Sequence, residues 1–401
     1  MKKILFLHTN FPAQYLRLMP YLKADGGFDM RAGTLVENKR RIEIPHVRFK
    51  QHRQAQPNIH PALTRTENAI LTGQAAYSAL HAFKRDNWIP DVICAHSGFG
   101  VGLFAKDIFP NAKYLAYHEW YFNGGLSDDG QPVDSDNHDS LVRGRLANIP
   151  FLVDLASMDR GITPTRYQHS QFPAVFQPHI QVLHDGVDAD FYVPNSSTTV
   201  NLANGGSLTQ DDEVITYVAR GMEPYRGFPQ FMEAVSKVQK RNPNVHTIVV
   251  GQDRVAYGSR RKDGQTFKEY ALKSLDLDMS RIHFPGLVDF ETLRGIFRIS
   301  SVHVYLTAPF VLSWSMIEAM STGCVILGSD TAPVQEVIRD GENGFLVDLL
   351  DSDKIAERIL DIVKNKASLA EVRRKARETI LLNYDAKNML SCHRQMIVDL
   401  L

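Results

Sequence analysis

Short apolar runs alternate along the chain with longer segments whose apolar residues recur every three or four positions. The short runs predict buried strands and the longer segments predict amphipathic helices. Alternation of this kind is typical of an α/β fold with parallel, doubly wound sheets. In the first half, predicted strands at 4–7, 30–35, 92–95, 113–117 and 161–163 alternate with predicted helices at 14–22, 66–85, 101–108, 140–157 and 166–172. In the second half, predicted strands at 214–218, 246–250, 282–284, 302–306 and 324–328 alternate with predicted helices at 228–239, 265–274, 290–299 and 353–364, and a helical tail, 369–401, is broken near 383–385.

The most informative stretch is 302–340, where a strand, a loop, a helix, a second strand and the start of another helix follow in order. The first helix is predicted to end at Thr322 and Gly323, since glycine is favoured just past a helix C-terminus. Its N-terminus opens soon after a strand end, so free backbone N–H groups and the helix dipole favour an anion there. The stretch therefore predicts a site for the phosphates of a nucleotide diphosphate.

The length of the chain, 401 residues, exceeds that of a usual single domain, so two domains are expected. Residues 194–212 are rich in Ser, Thr, Asn and Gly, which predicts the linker between them. The two domains are then expected at 1–193 and 213–385. A long polar loop at 121–137 is expected to be functional or disordered.

Composition and charge narrow the class of protein. Hydrophobic residues make up 44% of the chain and the formal net charge is zero, so no nucleic-acid partner is expected. Cys94, Cys324 and Cys392 are odd in number and widely spaced, and they form no disulfide or metal framework.

Two segments bear on where the protein works. The apolar run at 4–7 is shorter than the roughly 7–15 residues of a signal-peptide core, and no run approaches the roughly 18 apolar residues of a membrane span. A cytoplasmic protein is therefore expected, with peripheral contact at the inner membrane face left open. The basic segment 39–53 is either a solvated face or a surface for an anionic lipid or diphosphate acceptor.

Four motifs between residues 185 and 347 resemble those of one enzyme family. They are 185–188 (Asp-Gly-Val-Asp), the loop 220–227 with its two arginines, 318–323 (Glu-Ala-Met-Ser-Thr-Gly) and 341–347 (Gly-Glu-Asn-Gly-Phe-Leu-Val). In this order they resemble the large retaining glycosyltransferase family with the GT-B fold, the fourth glycosyltransferase sequence family or glycosyl transferases group 1. The resemblance implies two Rossmann-like domains facing each other across a cleft, with a nucleotide-sugar donor on the C-terminal domain and the acceptor on the N-terminal one. It also implies a last helix, at about 386–401, that packs back on the N-terminal domain.

The resemblance implies three catalytic candidates and one residue that binds the nucleotide-sugar donor. Arg220 and Arg226 stand where the family has an Arg and a Lys, and two cations there would stabilise the charge that grows on the leaving diphosphate without a metal. His118 stands near a family histidine that contacts the donor sugar. Glu318 matches the glutamate that hydrogen-bonds the ribose hydroxyls, although the spacing of Ser315 and Glu318 also fits a helix capping box. The family's reaction requires no protein base, and none is assigned.

One position departs from the family pattern. Phe310 stands where the family has a second glutamate that usually contacts the donor sugar, so sugar recognition is expected to differ. Backbone N–H groups at the helix start are candidates to bind sugar and phosphate. A further segment, 286–288, resembles the one that reads the edge of the base, with an ordinary strand-to-helix turn as an equal alternative. The donor-binding candidates besides Glu318 are Phe310, Val311, Leu312, Ser313, Gly286, Leu287 and Val288.

Loops after three predicted N-terminal strands supply candidates for acceptor contacts. Asn10 and Gln14 follow the first strand, in a loop that lacks the paired glycines of the family. His96 and Gly98 follow another strand, and Glu119 follows a third. Ordinary turns are the alternative reading of these positions.

The sequence thus predicts a retaining, metal-independent glycosyltransferase that moves a sugar from a nucleotide-diphosphate sugar to a saccharide or lipid-linked acceptor, in polysaccharide or glycoconjugate biosynthesis. No cofactor is expected beyond the nucleotide-sugar co-substrate. Acidic pairs, Asp134 with Asp136 and Asp188 with Asp190, are too common by chance to indicate a metal. Two alternatives stay open: a nucleotide-sugar epimerase of the same fold, and a catalytically weak sugar-nucleotide-binding protein that lost activity through Phe310.

Overall fold

The computed structural model describes residues 1–123, 138–203 and 205–401. Contacts between residues divide the chain into two compact units. The first unit contains the described residues up to 186 together with 386–401, and the second contains the described residues of 187–385. The predicted polar loop 121–137, with Asp134 and Asp136, lies outside the described residues from position 124 onward.

The first unit is built on a parallel sheet of seven described strands in the order β3-β2-β1-β4-β5-β6-β7. Alternate residues of β1 point to opposite faces of the sheet, and both faces are buried, so Ile4 and Phe6 pack on one side and Leu5 and Leu7 on the other. The strands are β1 Lys2–Leu7, β2 Phe28–Leu35, β3 His46–Phe49, β4 Val92–His96, β5 Lys113–Tyr117, β6 Arg160–Thr163 and β7 Ile180–Val182.

Helices cover both faces of this first sheet. Up to residue 186 the described helices are α1 Leu18–Asp25, α2 Thr64–Arg85, α3 Ala105–Ile108, α4 His138–Ala147, α5 Ile149–Ser157 and α6 Arg166–Ser170, with short 3₁₀ turns at Ala13–Tyr15, Pro61–Leu63 and Gln177–His179. The predicted helix 140–157 is interrupted at Asn148, whose side-chain amide donates to the carbonyl of Phe122 at 2.6 Å and whose Oδ1 accepts from the Phe122 N–H at 2.8 Å. The predicted helix 101–108 is helical only over its last turn.

The second unit is built on a parallel sheet of six described strands in the order β12-β11-β10-β13-β14-β15, with a separate hairpin of β8 and β9. Strand β10 is buried between α7 and α12 on one face and α9 on the other. The strands are β8 Val200–Asn201, β9 Ser207–Leu208, β10 Val214–Gly221, β11 His246–Gln252, β12 Ile282–Gly286, β13 Val302–Tyr305, β14 Ile326–Ser329 and β15 Phe345–Val347. The helices are α7 Phe228–Arg241, α8 Phe267–Ser274, α9 Phe290–Ile299, α10 Trp314–Ser321, α11 Ala332–Gln335, α12 Ser352–Lys364 and α13 Ala370–Asn383, with 3₁₀ turns at Pro224–Arg226, Met279–Arg281 and Lys366–Leu369.

The last helix, α14, spans Ala386–Val398 and belongs to the first unit. Its buried residues Met396 and Ile397 lie in the same apolar cluster as Phe6 and Leu22. Within the part of the chain that the structure describes, no helix has both the length and the apolar composition needed to cross a bilayer.

The predicted linker 194–212 needs a correction, because it belongs to the second unit and contains the β8–β9 hairpin. Val200, Leu202 and Leu208 pack against Ile248 and Ile296 in one apolar cluster. The boundary between the units falls at 186/187, earlier than the expected 193. Three apolar side chains that interrupt the polar composition therefore decide the fold of this segment.

Strand order identifies a switch point in each sheet. Strand β1 lies between β2 and β4, and β10 lies between β11 and β13. In each sheet the earlier strands are therefore added on one side of the central strand and the later strands on its other side. In open parallel sheets, ligands bind in the crevice beyond the carboxyl ends of such strands. The loops after β1 and β4, and those after β10 and β13, are therefore the places to look for functional side chains.

Buried histidines make the stability of both units sensitive to acid. Burial lowers the pKa of His118, His184 and His303 to about 3 and that of His393 to about 4. An unfolded histidine titrates near pH 6.5, so between about pH 4 and about pH 6.5 the unfolded chain binds more protons than the folded chain. Stability therefore rises with pH across this window and is lost as the pH falls, by up to about 1.4 kcal/mol per pH unit for each histidine.

We expect His303→Asn to reduce the slope of the free energy of unfolding against pH by up to about 1.4 kcal/mol per pH unit. Urea unfolding between pH 4.5 and 6.5 measures this slope. His52 is exposed, so His52→Gln is the matched control and should leave the slope unchanged. An unaltered slope in His303→Asn would contradict the assignment of a buried neutral imidazole.

Candidate functional site

A buried arginine lies at the switch point of the second unit. Arg226 lies in the turn between β10 and α7, and its Nη1 donates to Thr307 Oγ1 at 2.8 Å and to Tyr305 Oη at 3.3 Å. The turn closes on Gly227, which has a φ of +61° and no room for a Cβ, since that atom would lie 2.5 Å from Leu306. Glycine thus allows α7 to start directly behind Arg226 and to pack against the end of β13.

The same tyrosine fixes the start of the next helix. Tyr305 Oη accepts the backbone N–H of Ser313 at 2.7 Å, so Arg226 and the N-terminus of α10 are held by one hydroxyl group. Among the described residues, no acceptor receives the backbone N–H groups of Val311 and Leu312. A guanidinium and two open N–H groups at a helix start form a surface that favours an anion.

Glu318 lies on the second turn of α10 and is only 5% exposed. The helix is capped by Ser313, whose hydroxyl accepts from the N–H of Ser315. Because Ser315 is inside the helix rather than at its cap, the capping-box alternative for Ser315 and Glu318 does not describe this helix. The Glu318 carboxylate therefore does not cap α10.

Phe310 belongs to a group of three aromatic side chains that we call the aromatic wall: Tyr225, Tyr257 and Phe310. The Phe310 ring centroid lies 5.5 Å from that of Tyr225 and 5.0 Å from that of Tyr257. The guanidinium carbon of Arg226 lies 5.4 Å from the Tyr257 ring and 5.9 Å from the Phe310 ring. The position that departs from the family pattern is thus part of an aromatic surface beside the buried cation.

A residue that the sequence did not single out, Glu223, supports the aromatic wall. Its side chain is fully buried, and Oε2 accepts the N–H of Tyr257 at 3.0 Å and that of Ala256. Burial raises the pKa of this carboxyl. Glu223 lies in the loop 220–227, but only the pairing of β10 with β11 brings it to Tyr257.

The other predicted donor contacts lie near the ends of two strands of the second sheet. Arg220 is exposed near the end of β10. Gly286 is the last residue of β12 and Leu287 and Val288 follow it; β12 is separated from β10 by β11, and Leu287 is 67% exposed. Among the described residues, no group of three or more His, Cys, Asp or Glu side chains is arranged to hold a metal ion, and this includes Asp188 and Asp190.

The crevice of the first unit gathers three of the predicted acceptor candidates. Gln14 Nε2 donates to Glu119 Oε1 at 3.3 Å, and Glu119 Oε2 lies 3.7 Å from His96 Nε2. The imidazole of His96 also meets that of His8, with 4.8 Å between ring centroids. Asn10 lies beside them with an exposed side chain, and its N–H donates to His8 Nδ1 at 2.8 Å.

Gly98 has a structural reason for being glycine. Its φ is +84°, and a Cβ there would lie 2.1 Å from Phe151. Its N–H donates to Asp154 Oδ2 at 3.1 Å, and the other oxygen of this buried carboxylate accepts from Tyr114 Oη at 2.7 Å. The loop after β4 is therefore shaped by Asp154, a residue that the sequence did not single out because it lies in the middle of a helix.

The structure does not bring His118 to the crevice. Its backbone N–H donates to the carbonyl of Ile162 and so continues the hydrogen bonds between β5 and β6, and its side chain is 0% exposed. The ring lies against Met158, with 3.1 Å between Nε2 and Sδ, and against Phe172. A position just past a strand does not say to which side of the sheet the side chain points, and the catalytic role that the resemblance implies for His118 stays a prediction.

Two family models match consecutive parts of the chain. The model described as glycosyl transferase family 4 group matches residues 27–192, and the model described as glycosyl transferases group 1 matches residues 203–379. Residues 1–26, 193–202 and 380–401 lie outside both matches.

Relatives of known activity are distant. Phosphatidyl-myo-inositol mannosyltransferase from Mycolicibacterium smegmatis is 26% identical over 180 residues, which are 43% of this chain and 42% of that protein. Trehalose synthase from Pyrococcus horikoshii is 24% identical over 190 residues, which are 47% of this chain and 43% of that protein. The chain therefore matches less than half the length of each of these relatives.

Solved structures share the whole architecture. Sucrose-phosphate synthase from Thermosynechococcus elongatus has a TM-score of 0.74 at 17% identity, with 100% of this chain and 99% of that chain covered. HepE from Anabaena, solved in complex with UDP, has a TM-score of 0.68 at 17% identity, with 100% of both chains covered. At these identities the likeness concerns the fold.

Proposed function

Since the chain belongs to the family 4, group 1 glycosyl transferases, we propose that it transfers a sugar from a nucleotide-diphosphate sugar to a saccharide or lipid-linked acceptor. Its two parallel α/β sheets have the Rossmann-like architecture of the GT-B class. The single observation that carries the proposal is the linkage, through Tyr305, of the buried Arg226 to the N-terminus of α10. A diphosphate is the anion that this pairing of a cation and open N–H groups suits.

The chemistry follows from where charge grows. In the transfer, the bond from the anomeric carbon to the diphosphate breaks, and a bond from that carbon to an acceptor oxygen forms. Arg226 and the N–H groups of Val311 and Leu312 stabilise the negative charge on the departing diphosphate in a site that is already organised. The acceptor oxygen attacks from the face that the diphosphate leaves, so the anomeric configuration is retained. Its proton passes to a diphosphate oxygen, so no protein base is needed, and the cationic side chain with the N–H groups takes the place of a metal.

The remaining contacts are assigned by the same proposal. Glu318 accepts hydrogen bonds from the ribose hydroxyls, and the segment 286–288 reads the base. Arg220, exposed beside the crevice, closes on the diphosphate when the donor binds. In the first unit, Gln14, His96 and Glu119 form the surface that meets the acceptor hydroxyl. HepE was solved with UDP and, in another structure, with UDP-glucose, which supports a nucleoside diphosphate as the ligand class here.

Acceptor dependence tests the proposal. We expect UDP-, GDP- or ADP-linked hexoses to release their nucleoside diphosphate when a lipid extract or a glycan mixture is present, and to stay intact without it. An epimerase would instead change the hexose of the donor with no acceptor, which proton NMR detects. If the donor binds but is converted neither with nor without an acceptor, the protein is a sugar-nucleotide-binding protein and the proposal is wrong.

The acceptor side also carries a basic loop. Lys39, Arg40 and Arg41 follow the carboxyl end of β2 and are all exposed. A cationic side chain near an anionic bilayer contributes about 1 kcal/mol to binding, and this attraction falls off within a Debye length. We propose that the loop places the protein at the inner face of the cytoplasmic membrane, where a lipid-linked acceptor would be found.

Replacing Lys39, Arg40 and Arg41 by alanine is expected to weaken binding to phosphatidylglycerol vesicles about a hundredfold in co-sedimentation at low salt. The matched control replaces three exposed lysines of the second unit, Lys262, Lys273 and Lys364, and should bind as the parent does. Equal weakening in both triple variants would show a general charge effect and contradict a docking role for the loop.

A further inference from the structure

The aromatic wall lies where a sugar attached to the diphosphate would sit. This inference rests on the proposed function, in which Arg226 binds the diphosphate. The sugar is bonded directly to the second phosphate, so it meets the side chains that flank the guanidinium group. The nearest rings are those of Tyr257 and Phe310, 5.4 and 5.9 Å from the Arg226 guanidinium carbon.

Three different strands supply the rings. Tyr225 follows β10, Tyr257 follows β11 and Phe310 follows β13, and each of the three side chains is half-buried. Centroid distances of 5.0 and 5.5 Å and near-perpendicular ring planes show edge-to-face packing of Phe310 on both tyrosines. A wall assembled at the carboxyl edge of three adjacent strands is a fixed part of the crevice.

The Phe310 side of the wall is apolar, whereas Tyr225 and Tyr257 each end in a phenol hydroxyl. Phe310 has no polar atom in its side chain. The carboxylate of Glu223, in the same loop as Tyr225, is fully buried: its Oε2 accepts from the N–H groups of Ala256 and Tyr257, and its Oε1 has no hydrogen-bond partner among the described residues. A sugar hydroxyl pressed against Phe310 would lose its bonds to water and gain none from the ring. A methyl group at the same place would lose nothing and would bury apolar surface.

We propose that the aromatic wall is a specificity surface for the donor sugar and selects a sugar that bears a methyl group on the side facing Phe310. Two sources of such a methyl group are chemically distinct: the C6 methyl of a 6-deoxyhexose and the methyl of an N-acetyl substituent. The wall makes the same apolar contact with either. Glu223 acts as a positioning residue, because it holds the backbone that carries Tyr257.

Matched donors test the preference. The pairs are GDP-mannose with GDP-6-deoxymannose, UDP-glucose with UDP-6-deoxyglucose, and UDP-glucose with UDP-N-acetylglucosamine. Each pair differs at one position of the sugar, so the ratio of Kd values reports the contribution of the C6 methyl in the first two pairs and that of the whole acetamido group in the third. We expect at least a tenfold preference for the methyl-bearing member of one pair, and which pair shows it identifies the source of the methyl group.

Variants connect the preference to the wall. Phe310→Glu places a carboxylate on the wall and is expected to shift the ratio of Kd values at least tenfold toward the hydroxylated sugar. Phe310→Leu keeps the surface apolar and should keep the sign of the preference. Tyr257→Ala should weaken the preference, whereas Tyr257→Phe, which retains the ring, should preserve it. An unchanged melting temperature identifies the variants in which the fold is intact.

The possible failures are distinguishable. If nucleoside diphosphates bind and the paired donors bind equally, or if Phe310→Glu leaves the ratio unchanged, this inference is overturned while the proposed function stands. If no nucleoside diphosphate or nucleotide sugar binds, the proposed function is overturned and this inference with it.

Discussion

Replacing Arg226 by alanine is expected to lower kcat for sugar transfer about a hundred- to a thousandfold. Removing one preorganised hydrogen-bond donor from a site where negative charge develops typically has an effect of this size. The loss should appear mainly in kcat, because the charge on the diphosphate grows as its bond to the sugar breaks. Steady-state release of nucleoside diphosphate, with donor and acceptor varied separately, measures it.

Two further variants separate chemistry from folding. Arg226→Lys keeps the cation and installs the side chain that the family carries, so kcat should remain within about tenfold of the parent, given that lysine is a point charge without the bidentate geometry of arginine. Arg241→Ala removes an exposed cation from the far end of the same helix, α7, and should change nothing. Activity in Arg226→Ala close to that of the parent would remove this arginine from the mechanism.

Glu318→Gln is expected to weaken binding of the nucleoside diphosphate about ten- to a hundredfold while leaving inorganic pyrophosphate unaffected. A hydrogen bond to a charged group contributes about 1.5–3 kcal/mol, and only the nucleotide has ribose hydroxyls that can donate one to Glu318. Glutamine keeps the shape of a side chain that is 5% exposed, so α10 should remain packed. Calorimetric titration of both ligands gives the two dissociation constants.

The contrast between the two ligands makes the second prediction specific. A merely structural glutamate would affect nucleotide and pyrophosphate alike, or would lower the melting temperature without changing their ratio. A 2′-deoxynucleotide adds an internal check, because the parent should bind it more weakly than the ribonucleotide and Glu318→Gln should bind both about equally. Ser315→Ala serves as the control for the helix start, since Ser313 is the residue that caps α10.

The family, the fold class and the stretch that carries Glu318 could be predicted, because each depends on residues that are close together in the sequence. Four motifs in series indicated the family, which the family models confirm, and the alternation of apolar runs indicated the fold class, which the two parallel sheets and the solved structures confirm. The strand β13, its loop and the helix that carries Glu318 were placed correctly because a buried strand next to a helix start has a strong local pattern.

Contacts between strands distant in the chain could not be predicted in the same way. Tyr257 reaches Phe310 only because β10, β11 and β13 lie side by side in the sheet, an arrangement that no single segment encodes. The position of His118 just after β5 does not tell to which side its ring points, and in the structure the ring lies against Met158. The segment 194–212 was expected to be a linker from its composition, although three of its apolar side chains pack onto the second unit and residues 210–212 accept or donate hydrogen bonds there.

Binding of a nucleoside diphosphate at the switch point of the second unit is the central claim, and isothermal titration of UDP, GDP and ADP tests it most directly. The predicted result is one site per chain for at least one of the three, at least tenfold weaker in Arg226→Ala and preserved in Arg241→Ala. Saturable binding that is equally strong in Arg226→Ala, or no binding of any of the three to the folded parent protein, would contradict it.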